Sequence, residues 1–168
     1  MEQLETERLV LEPIGPSHAR TLFPLVSHVR LFTYVDQDPP ASEQALEMRY
    51  RGWSTGLSPD RSERWLNWAA RLRGTEVYVG WFQATVRADR TAEIAYVTFV
   101  DHQRCGYAKE ATTAVMAHLV RSYLVTSIVA TVDPRNSASI ALANSLGMQQ
   151  VSGAGKDLRF AVDAKRDA

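Results

Sequence analysis

The sequence predicts one α+β domain: a central, twisted, mixed but mostly antiparallel sheet of six to seven strands, flanked by about four helices. Three extended runs follow one another between Trp65 and Val100 with only short turns between them. A single strand–helix–strand passage (97 to 132) comes next, and in the first two-thirds of the chain helices and antiparallel strands are segregated. With 168 residues, 45% of them hydrophobic, the chain suits a single domain (1–168) around one sizeable core.

Taken in order, Thr6 to Pro13 alternates Leu9 and Leu11 with polar residues and reads as a first strand. Pro16-Ser17 opens a helical segment carrying Ala19, Leu22, Phe23 and Val26. The stretch from Phe32 to Pro40 is loop-like, and Ser42-Glu43-Gln44 has the composition of a helix start. Gly52 to Ser62, with two glycines, Pro59 and Asp60, is expected to be an irregular, mobile connection. Trp65 to Leu72, Val77 to Val86 and Ala92 to Val100 form an antiparallel meander, separated by turns at 73–76 and 87–91. A helix from Tyr107 to about Tyr123 carries Ala108, Ala111, Val115, Leu119 and Tyr123 on one stripe. Ser127 to Val132 is a further strand, and Asn136 to Leu146 is a short helix stopped by Gly147. Met148 to Val151 and Leu158 to Val162 close the sheet as a final hairpin.

Composition removes several function classes. Nineteen basic residues balance nineteen acidic ones without a block of either sign, which argues against a nucleic-acid or polybasic membrane binder. The first residues are polar and acidic, unlike a signal peptide, and no apolar run approaches the length of a membrane span. The lone Cys105 and four scattered histidines give neither a disulfide nor metal-ligand spacing. The expectation is a cytoplasmic, metal-free protein, monomeric or homodimeric.

The chemistry concentrates in two turns. Gln103-Arg104-Cys105-Gly106-Tyr107-Ala108 follows one strand and opens one helix. Such a turn offers unpaired backbone N–H groups at the positive end of a helix dipole, a setting that favours a phosphate-bearing ligand. Asp133-Pro134-Arg135-Asn136-Ser137-Ala138-Ser139 repeats the arrangement after a second strand. No Gly-Lys-Ser/Thr follows the first turn, which argues against a nucleoside triphosphatase.

Together, Ala92-Glu93-Ile94-Ala95-Tyr96, the 103–111 run, Asn136 with Ser139, and Leu146-Gly147-Met148 resemble the GNAT acetyltransferase family. The resemblance covers residues 6 to 163 and is strongest to the branch with RimJ/RimL-type ribosomal-protein N-terminal acetyltransferases, whose first strand Thr6-Glu7-Arg8-Leu9-Val10-Leu11 also resembles. It implies the GNAT-like acyl-CoA N-acyltransferase fold, acetyl-CoA as co-substrate, and direct transfer of acetyl to a protein N-terminal or small-molecule amine. The alternative is a non-catalytic acyl-CoA-binding module of the same fold.

Carried over residue by residue, the resemblance gives the pyrophosphate to the amides of Arg104, Cys105, Gly106, Tyr107, Ala108 and Lys109. It gives the pantetheine arm to the strand backbone at Tyr96, Val97 and Thr98, with a hydrogen bond from Asn136. Glu93 becomes the general base, acting through water, and its strand face with Ala95, Val97 and Phe99 is expected to raise its pKa. The oxyanion donor is a backbone N–H near Val97 or Thr98. Where many members carry a tyrosine as proton donor this chain has Ala143, and Ser139 is the substitute. A rival reading pairs Cys105 with His102 for an acyl-cysteine route. One of Trp65 and Trp68 is expected to line the acceptor cleft, with Tyr34 and the 52–62 loop selecting the acceptor.

Overall fold

The structure, a computed structural model, describes residues 1–35, 37–151 and 155–164. Among them an eight-stranded sheet runs in the order β1-β2-β3-β4-β5-β6-β8-β7. The strands are β1 (Leu4–Glu5), β2 (Leu9–Pro13), β3 (Arg64–Leu72), β4 (Tyr78–Val86), β5 (Thr91–Thr98), β6 (Ser127–Val132), β7 (Gln149–Gln150) and β8 (Leu158–Asp163). All neighbours pair antiparallel except β5 and β6, which the crossover makes parallel. The count exceeds the expected six to seven because β1 is two residues long, too short to show periodicity, and forms a hairpin with β2 through Thr6–Arg8.

Four helices cover the two faces: α1 (Ala19–Val26), α2 (Glu43–Trp53), α3 (Tyr107–Tyr123) and α4 (Ser137–Ser145). On one face α3 and α4 close over Leu9, Leu11, Trp68, Phe82, Ile94 and Ile128, with Val115 and Leu119 pressed from α3. On the other, α1 and α2 bury Leu22, Val26, Leu46 and Tyr50 against Ala69, Tyr78 and Phe99. Because β3 is covered on both sides, Leu66 to Ala70 is buried without alternation.

Caps explain the boundaries. Ser42 Oγ accepts from the Ala45 N–H at 3.1 Å and starts α2. Gly147, just past the last residue capping α4, has φ of 78° and ends that helix in the left-handed region. The strand expected to reach Val100 stops at Thr98, and Val100–His102 is a 3₁₀ turn. The 52–62 segment differs from expectation: α2 runs through Gly52, and the remainder is a hydrogen-bonded return. Ser58 N donates to Glu63 O, Trp65 N donates to Gly56 O, and Ser58 Oγ donates to Asp60 at 2.5 Å. The expected 32–40 loop contains one position, Asp36, outside the described residues. Among the described residues no helix is long and apolar enough to cross a membrane, and no group of His, Cys, Asp and Glu is placed to hold a metal ion.

Candidate active site

The sheet splits where the parallel pair begins to diverge. β5 and β6 pair only at Thr91–Glu93 against Ser127–Val129, so the backbone from Ile94 onward is open on the β6 side. The phase of the β4–β5 ladder decides which groups face that opening. Arg87 N donates to Thr91 O and Phe99 N to Val79 O in one uninterrupted register, so the alternate residues Glu93, Ala95 and Val97 bond across to β4. Tyr96 and Thr98 therefore turn their backbone groups to the split, and the Thr98 carbonyl already accepts from Gln103 Nε2 at 3.2 Å. Val97 departs from the sequence expectation: it borders both cavities, while the ladder phase turns its N–H and C=O to β4. A Cβ on Gly80 would lie 2.2 Å from the Val97 carbonyl oxygen, which explains the glycine opposite this point.

At the end of β5 the chain turns into α3 with Arg104 at φ 61° and Gly106 at φ 82°. Gln103 N donates to Val100 O, and Glu110 N donates to Gly106 O. Between them, the six consecutive amides from Arg104 to Lys109 have no acceptor among the described residues. The turn is braced from behind. The Glu110 carboxylate accepts from Thr6 Oγ1 (2.5 Å), Arg8 N (2.8 Å) and Arg8 Nε (2.7 Å). Arg8 Nη1 donates to the Cys105 carbonyl at 3.0 Å, and the guanidinium lies 4.6 Å over the Tyr107 ring. Burial pushes the Glu110 carboxyl up, but the bonds from Thr6 and Arg8 outweigh it and hold the group below its ordinary value. Through these bonds Thr6 and Arg8 tie the β1–β2 turn to the start of α3.

Cys105 is exposed, and its thiol donates to the Gln103 carbonyl at 3.5 Å. The His102 ring packs instead against Tyr107, with centroids 6.4 Å apart. The thiol–imidazole contact on which an acyl-cysteine route depends is not made.

Across the split stands the start of α4. Asn136 Oδ1 accepts from Ser139 N at 3.1 Å as the helix N-cap, which leaves the amide nitrogen of Asn136 without a partner among the described residues. Tyr96 Oη donates to the Ser139 carbonyl at 3.3 Å, joining β5 to α4 below the cleft. The Ser139 hydroxyl has no partner among the described residues. Two cavities meet here. The larger, about 670 Å³, runs past Thr98, Arg104, Gly106 and Ala108. The smaller, about 320 Å³, continues between the sheet and the α1–α2 segment. Tyr34, Tyr96, Val97, Asn136 and Ser139 border both, so Ser139 stands at their junction.

Glu93 is one layer removed. It borders neither cavity, although its neighbour Thr131 borders the smaller one. Its Oε2 accepts from Arg87 Nη2 at 2.8 Å and its Oε1 from Thr131 Oγ1 at 2.9 Å. Arg87 also binds Glu63, which in turn accepts from Trp65 Nε1. Burial pushes the Glu93 carboxyl up, but Arg87 and Thr131 outweigh it, so the group sits below its ordinary value. The expected upward shift is thus reversed. Alternation along β5 identified the apolar neighbours on the same strand, but the deciding charge comes from beyond the end of β4.

The smaller cavity also differs from expectation. Trp53 and Trp81 line it, whereas Trp68 is fully buried under α3, and Trp65 borders neither cavity. Of the 52–62 stretch only Trp53 reaches it, and its outer wall includes Val26, Tyr34, Leu46 and Tyr50. Tyr50 and Trp53, three apart near the end of α2, were the available signal, since a helix places such residues on neighbouring positions of one face.

Residues 8–149 match the acetyltransferase (GNAT) domain family. The uncharacterized N-acetyltransferase YoaA of Bacillus subtilis (strain 168) is 29% identical over 150 residues, covering 88% of this chain and 82% of that protein. RimL, a ribosomal alpha-N-protein acetyltransferase solved in complex with coenzyme A, has a TM-score of 0.84 at 18% identity, covering 96% of this chain and 98% of that one. Spermidine N-acetyltransferase from Vibrio cholerae, solved with CoA and spermine, has a TM-score of 0.77 at 17% identity, covering 95% of this chain and 97% of that one. At those identities the two structures establish a shared fold.

Proposed function

Because the chain belongs to the GNAT acetyltransferase family, using acetyl-CoA as its donor, we propose that it acetylates a primary amine, drawn from protein N-termini or small molecules, by direct transfer. The observation that carries the residue assignment is the run of six unpaired amides from Arg104 to Lys109 at one end of a cleft that continues through the split sheet to a second cavity. Unpaired N–H groups at a helix start suit an anionic pyrophosphate, and the exposed Arg104 and Lys109 add positive charge. The donor supplies a thioester carbonyl and a thiolate leaving group. Tyr96 and Thr98 hold the pantetheine arm through strand-edge backbone, Val97 contributes side-chain contact, and Asn136 offers its amide nitrogen. The Thr98 N–H is the donor for the carbonyl oxygen.

Relatives of this fold are named for a ribosomal-protein α-amine and for spermidine, which supports an amine as the acceptor class. That amine must lose a proton to react. Glu93, held ionised by Arg87 and Thr131, takes it through water near Thr131. The Ser139 hydroxyl at the junction hydrogen-bonds the departing sulfur.

Exchanging Glu93 for glutamine tests the assignment. E93Q is expected to lower kcat by about 10²-fold or more, the ordinary scale of general-base catalysis, while the Kd for acetyl-CoA measured by calorimetry stays put. Unchanged thiol release from E93Q would remove Glu93 from the proton path.

A further inference from the structure

The smaller cavity is walled by rings: Phe32, Tyr34, Tyr50, Trp53, Trp81 and Tyr96. These surfaces are braced, with Tyr50 tilted on Trp53 at 5.5 Å between centroids and Trp81 on Phe99 at 6.0 Å. Among the described residues, only Arg49 and Asp133 border the cavity with charged side chains. The Asp133 carboxylate is committed to Arg135, whose Nε and Nη2 donate at 3.0 and 2.6 Å. Arg49 has no carboxylate partner among the described residues and lies close enough to act on the Tyr50 hydroxyl. Among the described residues, a polycation entering this cavity meets an unpaired cation and no uncommitted carboxylate on the wall itself.

Tyr50 supplies the complementary observation. The residue is 2% exposed and lines the cavity, and its hydroxyl, which has no hydrogen-bond partner among the described residues, is open to the cavity rather than sealed in the core. Burial pushes this phenol above its ordinary range, so it meets any ligand as a neutral hydroxyl. Such a group pairs well with a carbonyl, amide or hydroxyl and cannot neutralise a second ammonium.

We infer that the acceptor is an amine with one cationic centre on an apolar, ring-compatible body that also carries a neutral hydrogen-bonding group, which the Tyr50 hydroxyl reads, and that Arg49 turns away a second cationic centre. This rests on the acetyltransferase reading above and narrows its acceptor. Two sources share the chemistry: a peptide N-terminus with an apolar first side chain, whose first peptide carbonyl meets Tyr50, and a small amine such as an aromatic amino-acid amide. Polyamines and aminoglycosides do not share it.

The test begins with stabilisation of the protein by acetyl-CoA in a thermal-shift measurement. Thiol release is then compared for phenylalaninamide, a tetrapeptide amide beginning with phenylalanine, β-phenylethylamine and spermidine. The two amides are expected to exceed spermidine in kcat/KM by at least about tenfold, and the balance between them separates the small-molecule from the peptide source. Tyr50→Phe is expected to lower kcat/KM for phenylalaninamide about tenfold more than for β-phenylethylamine, as loss of one hydrogen bond requires. Arg49→Glu, at an exposed position that leaves the core intact, is expected to close the gap to spermidine. Quenching of Trp53 and Trp81 fluorescence by each amine, with CoA present, gives binding without turnover.

Spermidine matching the amides, no turnover of either amide, or equal losses in Tyr50→Phe for both aromatic amines would overturn the inference. If acetyl-CoA stabilises the protein and acceptors are used without this selectivity, the transferase reading survives and this one falls. Absence of stabilisation by acetyl-CoA fells both.

Discussion

Glu93 shows how a residue's place on a strand can be read from a sequence while its charge environment is misjudged. Its placement on the Ala95–Val97 face of β5 follows from alternation, and the structure keeps it there. What alternation cannot supply is the tertiary charge. Arg87 lies six residues earlier and reaches back across the hairpin, and Thr131 arrives from β6. The consequence is a pH profile different from that of a desolvated base. A carboxyl held below 4.5 stays ionised as pH falls to that value, so Glu93 adds no inflection to kcat/KM near neutrality. The rise with pH should follow the acceptor amine alone. Arg87→Ala removes the strongest of the downward influences and leaves burial, so the Glu93 pKa should climb and a second inflection should enter the acid limb. A kcat/KM profile from pH 4 to 9 for both proteins checks this. A superimposable pair of profiles would mean that Glu93 does not take the proton.

At the level of elements, the sequence marked α3 and α4 well because local rules recognise both starts, Gly106 and Asn136, and one stop, Gly147 after α4. Apolar content made β5 look longer than it is, since Phe99 and Val100 continue the run while the backbone has already turned. The six amides rest on Gly106 in a particular way. A Cβ there would meet only Arg8 Nη2, at 3.3 Å, so space is not the main constraint; φ of 82° is. Alanine in that left-handed conformation costs roughly 1–2 kcal/mol, and relaxing the turn would re-aim the amides. Gly147, at φ 78° with nothing near its Cβ position, carries the same backbone demand away from both cavities. Gly106→Ala and Gly147→Ala are therefore expected to lose similar Tm, while only Gly106→Ala weakens CoA binding, by tenfold or more on the scale of about 1.4 kcal/mol. Calorimetric titration of both variants with CoA decides it, and equal weakening would show that the turn geometry holds no special place in binding.

The whole molecule is fastened by ion pairs that join distant strands and helices. The antiparallel meander and the single crossover were legible from turn spacing, but the split between β5 and β6 was not, because it depends on where pairing stops rather than on what the residues are. Nor was the partner of each buried charge. Glu12 on β2 accepts from Arg71 on β3 and Tyr78 on β4, and lies 3.4 Å from His18 beside α1. Glu110 ties α3 to the β1–β2 turn, and Glu93 ties β5 to β6. For Glu12, Glu93 and Glu110, burial raises the carboxyl and hydrogen-bonded partners lower it further, leaving each below 4.5. A group depressed on folding contributes stability that is complete above its unfolded value and lost as pH falls through its folded one. These three therefore act below about pH 4.5. His118 acts earlier. It is 2% exposed on α3, its Nε2 has no partner among the described residues, and burial holds it below 6.5 as a neutral ring. The unfolded chain binds that proton first, so stability declines as pH drops below 6.5. Thermal unfolding followed from pH 8 to 3 should show a shallow loss of Tm beginning near 6.5 and a steeper one beginning near 4.5. His118→Gln should flatten the first step whatever its effect on Tm at pH 8, and Glu12→Gln should shrink the second. A single transition that neither variant alters would place the acid sensitivity in charges other than these four.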